Sequence, residues 1–319
     1  ADPPDFGRTD PAGDTFTLYR ALAHADLRGE RFRGFLQLNV ADSSGRRGGA
    51  APTDVNRGDL HQAFAELRPA DGWLLRTGRQ EWAYGSGRLV SLRDGPNIRR
   101  AFDGAVVRTE RGSLRVDALA GWPVELRPGA FDDRPDDRQS LAGLYATVAA
   151  GPLATDLYWL RFVDRDAVFT DAAGREQRQS FGVRLFGTAG RLHGNVEGVP
   201  QTGQVGGNDI EAWTVAIEVT ADLAADGTLA AGVRADLASG DRRPGDGTLG
   251  TFNALYPNPT YFSQAALVYP ANLVDVHPFV RWQPTRRLQL TLEGDWLWRH
   301  RRRAMRVLHH HANGATSRS

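Results

Sequence analysis

The chemistry-bearing residues of this 319-residue chain crowd into positions 78–105, GRQEWAYGSGRLVSLRDGPNIRRAFDGA. There Arg79, Arg88, Arg93, Arg99 and Arg100 share a short stretch with Glu81, Asp94 and Asp103. A guanidinium offers a planar fork of donors that grips a carboxylate bidentately. Left buried and unpaired, it would cost several kcal/mol, roughly. These groups must therefore face water, one another's acids or an anionic ligand. A solvated loop paired within itself is the competing reading. Three charge pairs stand two residues apart, Arg79/Glu81, Arg115/Asp117 and Arg234/Asp236, so on a strand each pair shares one face. Arg100/Asp103 has the same mixed character. Such pairs suit a ladder of moderate anion contacts, and they equally suit a polar barrel interior that needs filling.

The elements that hold these residues alternate with period two. Residues 73–77 do so before the stretch and 101–108 after it, with Phe102 and Asp103 on opposite faces. Over 31–41, Phe32, Gly34, Leu36, Leu38 and Val40 oppose Arg33, Phe35, Gln37 and Asn39. Over 228–238, Leu229, Ala231, Val233, Ala235 and Leu237 oppose Arg234 and Asp236. Over 288–298, Leu288, Leu290, Leu292, Trp296 and Trp298 oppose Gln289, Thr291, Glu293 and Asp295, and the two tryptophans suit an interfacial girdle. Weaker runs cover 15–26, 60–67, 113–122, 138–149, 153–163, 179–187, 191–199, 209–220, 262–269 and 273–282. That makes about fifteen readable strands, near the 16–18 of porins. One apolar face suits lipid and one polar face suits water, which points to an all-β fold, a large antiparallel transmembrane β-barrel. A soluble β-sandwich array or β-helix would also alternate, without so consistently apolar an exposed face.

Composition narrows the classes. Lysine and arginine number 39 against 38 acids, every basic residue being arginine, which argues against nucleic acid as the partner. Without cysteine there are no disulfides or thiolate metal sites. No run reaches the ~20 apolar residues of a transmembrane helix. The start Ala1-Asp2-Pro3-Pro4 suits a mature chain whose signal peptide has been removed. His24, His61, His193 and His277 stand without a nucleophile motif, so no enzyme, cofactor or metal centre is expected. His309 to His311 read as incidental. Two connections are long, 42–56 and 239–261, and in a barrel long loops share one rim. The second contains Gly245-Asp246-Gly247-Thr248-Leu249-Gly250, a glycine pattern that is no dinucleotide site because Pro257 and Pro259 block a following helix. Asp241, Asp246 and Asn253 read as turn chemistry ahead of a calcium site.

Gly78-Arg79-Gln80-Glu81, Tyr84-Gly85, Gly87-Arg88-Leu89, Asn97 and Arg100-Ala101-Phe102-Asp103-Gly104-Ala105 together resemble the bacterial alginate-export outer-membrane porin family. So do Leu60-His61-Gln62-Ala63-Phe64, Ser239-Gly240-Asp241-Arg242, Pro244-Gly245-Asp246-Gly247, Gly250-Thr251-Phe252, Tyr256-Pro257 and Tyr261-Phe262, the likeness running from about Leu18 to Trp298. The resemblance implies a barrel of about eighteen strands that passes an anionic polysaccharide or oligosaccharide through an arginine-lined constriction in the outer membrane. It implies outer-membrane lipid as surroundings, and leaves periplasmic export machinery open as a further partner. Arg79, Glu81, Arg99, Arg100 and Asp103 fall where the family places charged pore residues, with Arg20 and Arg33 as looser matches. A differently specific or general porin is the alternative, and a secreted carbohydrate-binding β protein the alternative from another class. The expected division is a barrel over 1–299 and a basic, histidine-rich tail over 300–319. The tail lacks the expected closing strand, as in a C-terminally truncated chain.

Overall fold

The computed structural model describes residues 15–46, 48–169, 172–243, 245–258 and 269–301, and no helix occurs among them. The expected run 262–269 lies outside them apart from Tyr269, as does the tail from 302. The described chain divides into two compact units.

The first unit holds the residues up to Leu160 with 254–258 and Tyr269. Its strands are β1 (Thr17–Arg28), β2 (Phe32–Ser44), β3 (Asn56–Leu67), β4 (Trp73–Gln80), β5 (Phe102–Arg111), β6 (Leu114–Glu125), the two-residue β7 (Arg134–Pro135), β8 (Gln139–Ala150) and the start of β9 (Leu153–Val168). From β1 to β6 each pairs antiparallel with the next, and β8 follows on β6, β7 clipping the end of β6. Turns of a few residues join β1 to β2, β3 to β4 and β5 to β6, whereas the connections 45–55, 81–101 and 126–138 are long and leave the opposite strand ends.

The two faces of this sheet reverse the soluble pattern. Leu36, Leu38 and Val40 of β2 are exposed, while Gln37, Asn39 and Ala41 between them are buried. Polar groups thus occupy the face that connection 81–101 covers, and aliphatic ones the open face. β3 carries one extra residue, because Gln37 faces Gln62 but the next residue, Leu38, faces Leu60. This bulge re-aims His61, which is buried against Glu81.

The second unit continues from Arg161 to Asn253 and resumes at Pro270. It contains β10 (Ala173–Ala189), β11 (Leu192–Val205), β12 (Asn208–Asp222), β13 (Leu229–Ala238), β14 (Thr248–Leu249), β15 (Leu273–Thr285), β16 (Leu288–Glu293) and β17 (Trp296–Arg299). All pair antiparallel except β14, which runs parallel to β12 at Asp209 and Ile210, so the glycine pattern there leads into no helix. The expected strand 288–298 is interrupted. β16 and β17 both lie against β15 in one register, Phe279 facing Glu293 and Val276 facing Trp296, and the gap falls opposite His277-Pro278. Proline has no N–H to give the ladder, so there the pairing thins to a bond from Gly294 N to Pro278 O at 3.1 Å.

On the open face of this unit the chemistry changes at one level. The rows Gln177–Gln204–Asp209 and Gln179–Thr202–Glu211 are polar and exposed. Pro200–Trp213, with Phe181 alongside, marks the border. Then come Val183–Gly198–Val215 and Leu185–Val196–Ile217. From Phe181 to Ala189 the apolar band covers about 27 Å of strand, or roughly 20 Å once tilted, close to the apolar girdle of a membrane barrel.

Arginine at Leu185 or Ile217, inside this band, is expected to lower the stability of the lipid-folded protein by about 2–4 kcal/mol, and at Gln179 by about 1 or less. Urea unfolding from vesicles reads the difference.

Candidate functional site

Connection 81–101 lies on the covered face because glycine leaves room for it. Gly78, Gly104 and Gly121 stand side by side across β4, β5 and β6. A Cβ on Gly104 would come 2.4 Å from the Ala120 carbonyl and 3.0 Å from the Trp82 indole. Trp82 stacks on Phe102 at 4.5 Å, and Tyr256 meets the same phenyl ring edge-on at 5.1 Å. Backbone bonds then zip the connection to the chain around Tyr256: Ser91 N donates to Tyr256 O, Tyr256 N to Leu89 O and Asn258 N to Gly87 O, each 2.9 Å. Asn97 Nδ2 fixes the far part, 2.7 Å from Asp54 O and 2.9 Å from Tyr19 O.

The arginines on this connection differ in what holds them. Arg99 donates to Asp94 at 2.5 Å and lies 3.7 Å from Glu81. Arg20, from β1, reaches the same Asp94 at 3.5 Å and Asn97 O at 3.4 Å. Arg88 is buried. Arg100 lies over the Tyr256 ring, 5.0 Å from its centre, and donates to Ser91 O at 3.5 Å. Neither Arg93 nor Arg100 has a carboxylate within 4.0 Å among the described residues. Burial lowers both, taking Arg100 down to about 10 with the like charge of Arg93 adding to it, so both stay cationic at neutral pH.

Two of the expected pore residues belong to the other face. Arg79 donates to both Asp103 oxygens at 2.8 Å, and this pair stands in the row Ala63–Arg79–Asp103–Trp122. Its neighbours Gln80 and Phe102, fully buried, point the opposite way. Trp73 and Leu75, exposed on β4, share Arg79's parity, a signal already present in the sequence.

The expected i, i+2 and mixed pairs are likewise replaced by partners across strands. Arg79 binds Asp103 rather than Glu81, and Glu81 binds His61 and Arg99, leaving Arg100 without Asp103. Asp117 takes Arg108 at 2.7 Å, not Arg115, which faces Glu110. Arg234 lies 3.5 Å from Glu218 and over Phe279, while Asp236 faces Asp275. Directly opposed side chains are closer than those two apart along a strand. Arg33 does hold a mixed cluster on the covered face, bonding Asp26 bidentately beside Phe35 and Phe64. Sequence reading passed over Arg76, bonded to the buried Glu66, and Arg108.

Connection 126–138 closes over the Arg79 row, leaving a cavity of about 310 Å³ lined by Asp59, Leu60, Ala63, Arg79, Asp103, Phe131 and Asp133. Carboxylate oxygens of Asp59, Asp132 and Asp133 lie within 4.8 Å of one another. Asp59 is occupied by the backbone N–H groups of Asp132 and Asp133, and Asp133 by Arg127 N and Asn56 Nδ2. Burial raises the Asp133 carboxyl to about 6, with Asp59 and Asp132 adding to it and the Arg127 N–H and Arg79 opposing.

In the 239–258 segment, Asp241 accepts from Arg243 N and Asp246 from Thr248 N, the expected turn chemistry, and Arg242 is exposed. Asn253 is committed to Gln201 and Glu176. His24 stacks on Phe35. His193 lies between Thr188 Oγ1 at 3.0 Å and Asp222 at 2.9 Å, and its backbone faces Thr188 in the ladder.

A folded-state acid raised to about 6 binds a proton that the unfolded chain, near 3.8, has released. Asp133 therefore costs stability above pH ~6, and this cost is relieved as pH falls towards ~4. Compared with wild type, Asp133→Asn is expected to flatten the pH dependence of the unfolding midpoint over that window, by about 1–2 kcal/mol after allowing for solvent screening.

The family model described as "Alginate export" matches residues 1–318. No curated protein matches. Among solved structures, the chain is similar to OmpT of Vibrio cholerae folded in vitro (12% identity, 88% of this chain and 85% of that one, TM-score 0.47). It is also similar to OccK8 (OprE) of Pseudomonas aeruginosa (10%, 89% and 92%, TM-score 0.44) and OpdK of Pseudomonas aeruginosa with vanillate (14%, 89% and 91%, TM-score 0.40).

Proposed function

As a chain that belongs to the alginate-export family, this protein is an outer-membrane β-barrel channel, and we propose that what it passes is an anionic polysaccharide such as alginate. The observation that carries the substrate is the pair Arg93 and Arg100. Both are cations on the connection that folds over the polar face, and neither has a carboxylate within 4.0 Å among the described residues. A polyuronate brings one carboxylate per sugar, which a guanidinium receives bidentately. Arg99 and Arg20, sharing Asp94, supply weaker contacts next to them, so a chain can be handed on rather than trapped. In this reading Arg79 with Asp103 holds the wall and touches no substrate. Outer-membrane lipid surrounds the apolar band, and export machinery in the periplasm would be the natural source of the chain.

The test is current through the refolded protein in a planar bilayer, with reversal potential in a salt gradient and polyuronate then added. Anion selectivity and block are expected. Arg93→Ala/Arg100→Ala should weaken block by about tenfold or more, two charge-assisted contacts at ~1.5 kcal/mol each being removed. Arg79→Ala should alter stability and leave selectivity in place. Selectivity that survives the double change would favour a general porin.

A further inference from the structure

Three strands mark off the same length along the open face. Leu114 of β6, Ala189 of β10 and Leu288 of β16 each stand beside a short turn, and eight positions along from them stand Trp122, Phe181 and Trp296, all exposed. Eight steps are about 27 Å of strand. Aromatic side chains at that distance mark the interface where lipid tails give way to head groups. In the second unit this border lies toward the ends of β12 and β13 from which the chain 239–272 departs, and long connections lie on the extracellular side of such barrels.

The strands of the second unit do not stop at the border. β10 continues from Ser180 to Ala173, roughly 20 Å once tilted, and β11 and β12 keep pace to Val205 and Asn208. A phospholipid head-group layer is only about 5–8 Å deep. The open face of this extension carries Gln177, Gln179, Thr202 and Gln204, all exposed, with two exposed arginines, Arg161 of β9 and Arg175 of β10. Arg161 reaches Gln177 Oε1 at 3.4 Å, and neither arginine has a carboxylate within 4.0 Å among the described residues. Asp209 and Glu211 share the face from β12, two strands and so about 10 Å from β10, and Gln204 donates to Asp209 at 3.1 Å.

A head group that fills this wall is tall, rich in hydroxyls and phosphorylated. We propose that the extension of β9 to β12 above the aromatic border is a docking face for a phosphorylated glycolipid of the outer leaflet, with phosphate on Arg161 and Arg175 and head sugars along Gln177, Gln179, Thr202 and Gln204. A guanidinium grips phosphate bidentately, and neutral amides bond sugar hydroxyls without repelling the phosphates beside them. The face continues the lipid-facing band without a break, so the acyl chains of the same molecule lie against Val183, Leu185, Val196 and Val215, all exposed. The inference uses the barrel's place in the outer membrane and not its cargo, so it stands or falls apart from the polyuronate reading.

The test is binding of fluorescent lipids to the detergent-folded chain: lipopolysaccharide that keeps its core sugars, lipid A without them, and phosphatidylglycerol. Core-bearing lipopolysaccharide is expected to bind about tenfold or more tighter than phosphatidylglycerol. Arg161→Ala/Arg175→Ala should weaken lipopolysaccharide and lipid A alike by about tenfold. Gln179→Ala/Gln204→Ala should weaken the core-bearing form alone, by about threefold or more. Heat-modifiable mobility checks that each variant is folded. Should a double change fail to fold, Thr202→Glu sets one charge amid the wall and should weaken core-bearing lipopolysaccharide in its place. Equal wild-type affinity for lipopolysaccharide and phosphatidylglycerol would overturn the glycolipid, and wild-type affinity in the folded variants would overturn this face. Lipid A bound as tightly as the core-bearing form would overturn the sugar contacts.

Discussion

Inside hydrocarbon no water is available to a backbone N–H or C=O, and the sheet's form follows from that constraint. A strand satisfies its groups sideways, so every long strand here has a ladder partner, and connections supply some remaining bonds, as Asn97 Nδ2 does to Tyr19 O of β1. The faces are then free to differ, and they reverse the ordering of a soluble protein. Aliphatic side chains such as Leu36, Val183 and Leu185 stand exposed, and Gln37, Glu66 and Asp117 are buried. Where a group cannot join the ladder, the defect is visible. Pro278 opens a gap between β16 and β17 without shifting their register, and the extra residue at His61 turns an imidazole onto Glu81.

Turning charge inward creates a second demand, because each buried ion needs a counterion. The structure meets it across strands. Arg76 with Glu66, Arg108 with Asp117 and Arg33 with Asp26 use neighbours brought together by register. Against this background of matched charge, Arg93 and Arg100 have no carboxylate within 4.0 Å among the described residues, burial lowers both, and Arg100 lies over the Tyr256 ring. The glycine row under Trp82 serves the same end by letting the arginine-bearing connection lie close to the sheet.

How much of this could be read from the sequence depended on the range of the interaction. Alternation is local, so the strands were legible: the runs expected at 31–41, 209–220 and 273–282 became β2, β12 and β15 with ends moved by a few residues. Opposite faces for Phe102 and Asp103 followed from the same local rule. The candidate site was legible only in part. Arg99 and Arg100 do sit on the covering connection, whereas Arg79 and Asp103 turn away from it, and Arg93, noticed as a charge, was not singled out.

What the sequence alone determined was the class of fold, since a period of two with one apolar face needs no knowledge of which strand lies beside which. It also determined family membership, through long ordered motifs. Tertiary structure decided which charges are matched. Glu66, Asp103 and Asp117 could have served several arginines by sequence distance, and only the register of neighbouring strands chose Arg76, Arg79 and Arg108. It decided too that Gln201 would grasp Asn253 across 52 residues of chain. A contact of that span depends on where two segments meet in space, and no local pattern of residues records it.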